Sequence, residues 1–551
     1  MSFVTHDVTN QPPPLADHDL WAWNRPLRDA LAHHLPAHDA ARLAAMGVEF
    51  GRADMLEHAR LANVHPPRLK THDRFGHRID QVEFHPSYHA LMGSALRHGL
   101  HGAPWSKGPG AHVERAAGFM LFTELEPSVL CPVSMSYAVT PALRANAGIT
   151  QAWMPKIVAS DYDPRFVPFD RKGAVTLGMG MTEKQGGSDV RSNTTRAERD
   201  GADAWGERYR ITGHKWFFSA PMCDAHLVLA QAAGGLSCFF VPRILPDGSV
   251  NALHVQRLKD KLGNHANASS EVEFHDAIGW RVGDEGRGVP QILAMGALTR
   301  LDCALGTAGL MRAALTLALH HTAHRSAFGK RLVEQPLMKN VLADLALESE
   351  AATALALRVA VTIDRTEHPG HPEREHEAVL RRVLTPIAKF WICKRGSAFG
   401  QEAMECLGGN GYVEEHGEGV MARIYREMPL NSIWEGAANI MALDLLRALR
   451  SADAAPALER ELAAAHGIHP SFDRLAAALP ARVDGVADEI AARVLARDVA
   501  LLMQASLLAR HAPRAVAEAF CRARLAQGSD VFGTLPADLP FDTLIERARG
   551  R

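Results

Sequence analysis

Between Ala174 and about residue 285 the sequence carries short apolar or alternating runs with no helical stretch between them. No other feature limits the fold as much. Val228-Leu-Ala, Ser237-Cys-Phe-Phe-Val, Ala252-Leu-His-Val and Glu271-Val-Glu-Phe read as strands, and Gly234-Gly235 and Asp247-Gly248 as turns. Strands without intervening helices argue against a doubly wound sheet and predict a compact β domain. Both flanks read as helix. On the N-terminal side, residues 111–130 and 140–158 have helical apolar spacing, in a region broken by prolines at 12–14, 66–67 and 86. After Gly288 the spacing predicts helices over 289–327, 336–366 and about 373–406, with a fourth led by Glu435. Long helices joined by short loops predict a four-helix bundle. The last hundred residues are rich in Ala, Leu and Arg and read as a separate helical appendage.

The expected architecture is therefore mainly α with a β-barrel. It divides into a helical domain over 1–175, a β-barrel over 176–287, a bundle over 288–450 and an extension over 451–551. Hydrophobic residues make up 47% of the 551, enough for several cores. Formal net charge is −2, so the whole chain lacks a basic signature for nucleic acid or membrane. Seven scattered cysteines, an odd number without a Cys-x-x-Cys pair, suit a reducing compartment. The N-terminus shows no basic head followed by an apolar run, and no stretch approaches the roughly 18 apolar residues of a membrane helix. The expectation is a cytoplasmic protein with no signal peptide and no span.

Four stretches carry chemistry, and each has a plainer structural reading beside it. MGMTEKQGGSDV, residues 179–190, joins the open backbone of Gly186 and Gly187 to the hydroxyls of Thr182 and Ser188. Such a loop hydrogen-bonds the carbonyls and ring nitrogens of a flat heterocycle, or a phosphate; alone it is a glycine-rich hairpin. GHKWFFSAP, residues 213–221, puts an aromatic wall beside Ser219, with Phe217 a candidate for the β core. HRSAFGKR, residues 324–331, sets Arg325 three positions before Phe328, a pyrophosphate ligand or a basic helix end. MPLNSIWEGAANI, residues 428–440, places Glu435 between Trp434 and Gly436. Asn431 or Ser432 can cap the following helix there, and a partly desolvated carboxylate can work as a base. His320 and His324 have metal-ligand spacing, but no third ligand accompanies them, so they read as a solvated face and no metal is expected. There is no G-x-G-x-x-G after a strand, no P-loop and no G-x-S-x-G.

In this order MTEKQGGSD, KWFFS, RSAFG, LGGNGY and IWEG resemble the acyl-CoA dehydrogenase family of flavoproteins. NQPPPL, RLANVHPP, RLKDKLGN, REMPLNSIWEG and the C-terminal extension resemble its AidB-type branch, linked to the response to DNA alkylation. The resemblance implies FAD between barrel and bundle, a base at Glu435, and Arg300 near the reacting atoms. It implies flavin contacts from Met179, Met181, Thr182, Ser188, Trp216, Phe217, Phe218 and Ser219 on the barrel. On the bundle it implies contacts from Ile433, Trp434 and Asn439. Arg325 and Phe328 reach the FAD of a neighbouring subunit, which implies a homo-oligomer, a dimer of dimers. Some positions depart from the family pattern: Phe218 stands where many members have threonine, Ala297 where an Asp often precedes Arg300, and Thr299 at an alternative base position.

The leading expectation is an FAD-dependent oxidoreductase with weak or narrow acyl-CoA activity, isovaleryl-CoA being one example. A catabolic short- or branched-chain acyl-CoA dehydrogenase is the second reading. The third is a duplex-DNA-binding protective protein with a mainly structural flavin. The extension has 12 Arg and no Lys against 13 acids, a balance of −1, so any DNA patch rests on Arg510, Arg514, Arg522 and Arg524.

Overall fold

The computed structural model describes residues 5–485, 489–528 and 530–549. The chain divides into two compact units. One comprises Glu57–Phe122 and Glu126–Asp302; the other comprises Met1–Leu56, Thr123–Leu125 and Cys303–Arg551.

The first unit holds the strands β1 (Leu177–Gly180), β2 (Arg196–Asp203), β3 (Gly206–Ser219), β4 (Ala225–Ala232), β5 (Gly235–Pro242), β6 (Leu253–Leu258) and β7 (Ser269–Val282). They pair in the order β1-β4-β2-β3-β7-β5, β6 lies beside β7, and β4 also pairs with β5. The pairing thus closes on itself, which gives the expected barrel. Its interior is filled by the inward-facing residues of the alternating strands, among them Ile211, Phe218, Val228, Phe239, Val255, Val272 and Phe274. The helix spacing on the N-terminal side is interrupted more often than expected. The stretch 111–130 ends as a helix at Leu125, before Pro127, and resumes as Leu130–Ala138. The stretch 140–158 splits into Thr140–Leu143 and Ala147–Ile157, with Asn146 capping the second by accepting from Ile149 N.

Beyond the barrel, α1 spans Gly288–His324, α2 Pro336–Glu367, α3 Arg374–Glu405, α4 Val420–Asn431 and α5 Ala438–Leu449. Pro336 occupies the first turn of α2, where its missing N–H is harmless. By length and composition α1 is apolar enough to cross a membrane, with a mean hydropathy of 1.2 in its best window. That corrects the expectation that no stretch approaches this. Since 89% of the window is buried inside the protein, its apolar surface is met by packing. The fourth bundle helix also differs: it begins at Ala438, and Glu435 lies outside it.

The C-terminal helices α6 (Ala454–Ala463), α7 (Pro470–Gly485), α8 (Ala492–His511), α9 (Arg514–Phe520) and α10 (Phe541–Arg549) belong to the same compact unit as α2–α5 and form no separate appendage. Buried ion pairs join them to the bundle. Arg524 Nε donates to Glu348 at 3.0 Å, and its Nη2 pairs with Asp344. Arg358 on α2 bridges Glu377 of α3 at 2.8 Å and Glu461 of α6 at 3.0 Å. Arg547 on α10 pairs with Glu350 at 2.8 Å and Asp29 at 2.7 Å. Arg524→Ala would leave Asp344 and Glu348 buried without that guanidinium. It should lower the unfolding free energy by about 3–5 kcal/mol in urea titration. Arg514→Ala breaks only an exposed pair with Glu518 and should change it by less than about 1 kcal/mol.

Candidate active site

In the sheet unit the candidate residues lie on β1, the loop after it, and the end of β3. β1 reads Leu177-Gly-Met-Gly, and its two glycines face large rings. A Cβ on Gly178 would lie 2.4 Å from the His226 ring, and one on Gly180 would lie 2.6 Å from Phe218. The Phe218 and His226 rings are 4.1 Å apart, and burial pushes the His226 imidazole down to about 3. Phe218 is thus wholly buried inside the barrel, while Phe217 is 55% exposed. Successive strand residues point to opposite faces, so of the two phenylalanines Phe218 belongs to the core and Phe217 does not, the reverse of the sequence reading.

The glycine-rich loop is held onto β3 by one buried pair. Lys215 Nζ donates to Glu183 Oε1 at 2.7 Å, and both side chains are fully buried. Glu183 also accepts from Thr194 N at 2.7 Å, Thr195 N at 3.2 Å and Gln185 Nε2 at 2.8 Å. Trp216 N donates to the Thr182 carbonyl at 2.8 Å. Burial acts to raise the Glu183 carboxyl, but the Lys215 ammonium and these hydrogen bonds outweigh it and hold the group at about 2. Burial pushes Lys215 down to about 8 against the pull of Glu183. Sequence reading singled out neither residue, although both sit inside quoted motifs; a charge inside an aromatic strand was the available signal.

Around this pair, Met179 is buried, Met181, Thr182, Trp216 and Ser219 are half-buried, and Ser188 is exposed. Nothing lies within 4 Å of a Cβ built on Gly186. Lys259 Nζ sits 3.3 Å from the centre of the Trp216 ring. An open glycine backbone, two half-buried hydroxyls and an indole suit a flat heterocycle with carbonyls and ring nitrogens. Arg300 is half-buried on α1, and Thr299 is buried there with its hydroxyl donating to Gly296 O at 3.1 Å.

In the helical unit Glu435 stands in the turn between α4 and α5. It is half-buried, and its backbone is left-handed at φ +60°, followed by Gly436 at φ +102°. A non-glycine residue there is strained and persists only when its surroundings hold it. Three contacts do so. Trp434 Nε1 donates to Asn431 Oδ1 at 3.0 Å, and Asn431 Nδ2 donates to Thr307 Oγ1 on α1 at 3.1 Å. Lys389 Nζ on α3 donates to the Gly436 carbonyl at 2.6 Å. Asn431 is the last residue of α4 and its amide is committed to these bonds, so neither it nor Ser432 caps the next helix. Ala437 precedes α5 with no side-chain cap. Glu435 therefore sits three residues ahead of that helix, not in its first turn. Ile433 and Asn439 are exposed on either side, and Trp434 is half-buried.

Phe328 is 99% exposed and left-handed at φ +53°. Arg325 donates from Nη1 to the Asn10 carbonyl at 2.7 Å, while the Asn10 side chain exchanges two hydrogen bonds with the backbone of Ser326. The four extension arginines are each paired with carboxylates: Arg510 with Glu461, Arg514 with Glu518, Arg522 with Asp538, and Arg524 with Asp344 and Glu348. Arg524 is buried, and these side chains present no unneutralised basic patch to a phosphate backbone.

Comparison with known proteins gives a consistent set of matches. Residues 10–164 match the adaptive response protein AidB N-terminal domain, 178–277 the acyl-CoA dehydrogenase middle domain, and 286–450 the acyl-CoA dehydrogenase C-terminal domain. The chain is 46% identical to AidB of Escherichia coli (strain K12) over 531 residues, 95% of either chain. It is 30% identical over 430 residues to acyl-CoA dehydrogenase family member 11 of Caenorhabditis elegans, covering 75% of this chain and 68% of that one. The structure of Caenorhabditis elegans ACDH-11 in complex with C11-CoA superposes with a TM-score of 0.80 at 25% identity, over 94% of this chain and 93% of that one. An acyl-CoA dehydrogenase of Bacillus anthracis complexed with FAD shares the fold with a TM-score of 0.63 at 17% identity, over 96% and 86%.

The Glu183–Lys215 pair carries a pH signature. A carboxyl depressed in the folded state contributes stability that is fully present above its unfolded value, near 4.5, and is lost as pH falls towards 2. Acid unfolding followed by circular dichroism should therefore steepen below about pH 4.5. Glu183→Gln should flatten that limb while lowering stability at neutral pH, because Lys215 loses its counter-charge.

Proposed function

The chain belongs to the acyl-CoA dehydrogenase family, in its AidB-type branch, and on that premise we propose an FAD-dependent oxidoreductase that desaturates an acyl thioester with Glu435 as base. The observation that carries this reading is the left-handed backbone of Glu435. Strain at an acidic residue that is braced from α1 and α3 suits the presentation of a carboxylate at a fixed point. We assign FAD contacts on the sheet unit to Met179, Met181, Thr182, Ser188, Trp216, Phe217 and Ser219. With the Phe218 ring in the core, its position offers backbone alone. On the helical unit we assign Arg325, Phe328, Ile433, Trp434 and Asn439. When bound, FAD supplies the acceptor for the β hydride. Glu435 takes the α proton, and Arg300 places a positive charge on the same α1 segment as the unsuited Thr299, whose hydroxyl is turned to Gly296.

At position 218 the strand offers a core phenyl in place of a hydroxyl, which leaves Thr182 and Ser219 as the half-buried hydroxyls of the sheet unit's site. We take this as support for slow or narrow acyl-CoA turnover, with isovaleryl-CoA as the test substrate. A role in the alkylation response stays with the branch resemblance, since the paired extension arginines add nothing to it. The seven cysteines are unpaired and buried, which suits the reducing cytoplasm. A second copy of the chain is the proposed cover for Phe328, Leu337 and Tyr412, exposed apolar residues of the helical unit.

Two outcomes follow. Glu435→Gln should keep the yellow flavin and lose anaerobic bleaching by isovaleryl-CoA by at least about a thousandfold; bleaching at the wild-type rate would refute the base. Phe328→Asp should shift the protein to a smaller mass in light scattering and weaken FAD retention, whereas an unchanged mass would exclude Phe328 from the contact.

A further inference from the structure

Lys389 is the least expected charge in the helical unit. It is 1% exposed on α3, between Ile387, Ala388, Phe390 and Ile392, all of them buried. An ammonium removed from water is costly unless something in the protein replaces its hydration. Here the acceptor is a main-chain carbonyl, that of Gly436, at 2.6 Å. That carbonyl belongs to the left-handed pair Glu435–Gly436, between the end of α4 and the start of α5, where neither helix ladder provides it with a donor. The bond therefore ties the flank of the strained residue to a helix that reaches it from 47 positions earlier in the chain.

We propose that Lys389 is the positioning residue for Glu435, fixing the turn through the Gly436 carbonyl so that the carboxylate is presented in one place. This rests on the reading of Glu435 as the base. The arrangement has two sides. Asn431, held by Thr307, fixes the residues before Glu435 through the Trp434 indole. Lys389 fixes the residue after it. With either support gone, the left-handed conformer competes with relaxed ones, and the carboxylate is spread over several positions. A displacement of about 1 Å at a reacting group can cost on the order of a hundredfold in rate. Lys389 touches Gly436 and not the reacting atoms, so its effect belongs in the limiting rate and not in substrate binding.

The test compares holo-protein carrying Lys389→Met with wild type by amide hydrogen exchange and by anaerobic flavin bleaching with isovaleryl-CoA. Exchange over residues 433–437 should rise about tenfold or more in the variant, with the barrel amides unchanged. The limiting bleaching rate should fall by about tenfold to a hundredfold at an unchanged half-saturating concentration. Lys389→Gln keeps a donor one bond shorter and should fall between the two; if the methionine variant does not fold, it carries the same comparison. Ser506→Ala removes a buried hydrogen bond to Glu461 in the extension and serves as a variant of lowered stability. Unchanged exchange over 433–437, or an equal rate loss in Ser506→Ala, overturns the proposal. Wild-type bleaching by Glu435→Gln would remove the base reading instead, while the exchange comparison would still decide what Lys389 does.

Discussion

A charge taken out of water has to find a counter-charge or an acceptor inside the protein, and this chain takes out many. In the sheet unit Arg115 forms a forked pair with Asp302, with Nη2 to Oδ2 at 2.8 Å, and Lys215 is sealed against Glu183. In the helical unit Arg358, Arg524 and Arg547 each meet two acids. Each of these bonds is satisfied in one register only. Apolar packing alone tolerates sliding helices; a guanidinium shared by two carboxylates on different helices does not. The extension is consequently part of the bundle, and Arg510 and Arg524 are already paired with carboxylates of the same unit.

The same rule separates what could be read locally from what could not. Strands and helices announce themselves within a few residues, so β4 to β7 and the lengths of α1, α2 and α3 were legible from apolar period and proline placement. The closure of the barrel was legible only as a class, because β4 meets β2, and β7 meets both β3 and β5, across distances the sequence does not encode locally. The interior position of Phe218 was in principle readable. Gly178 and Gly180 share one face of β1, and such a gap needs large rings opposite; two adjacent phenylalanines leave only one of them able to fill it.

Ion-pair partners were not legible at all. Arg524 and Asp344 are 180 positions apart, and nothing near either names the other. Counting arginines in the extension against its own acids treated it as a closed electrostatic unit, whereas Asp344, Glu348 and Glu350 come from α2. A like limit applies to Lys389. A lone lysine within an apolar helical run marks an internal acceptor, but the identity of that acceptor lies on another element.

Glu435 shows why function concentrates where local signals mislead. Asn431 and Ser432 ahead of an apolar helix predict a capped N-terminus with Glu435 in the first turn, a relaxed arrangement in which the carboxylate would lean on the helix dipole. The structure spends the Asn431 amide on Trp434 and Thr307 instead, and the helix starts uncapped at Ala438. A favourable local interaction is given up and an unfavourable backbone conformation accepted within five residues. Folding alone gives no reason for both. They make sense together if the position of the carboxylate is what the turn is built to hold, with the strain offset by contacts from α1 and α3 that a free peptide of this sequence would lack.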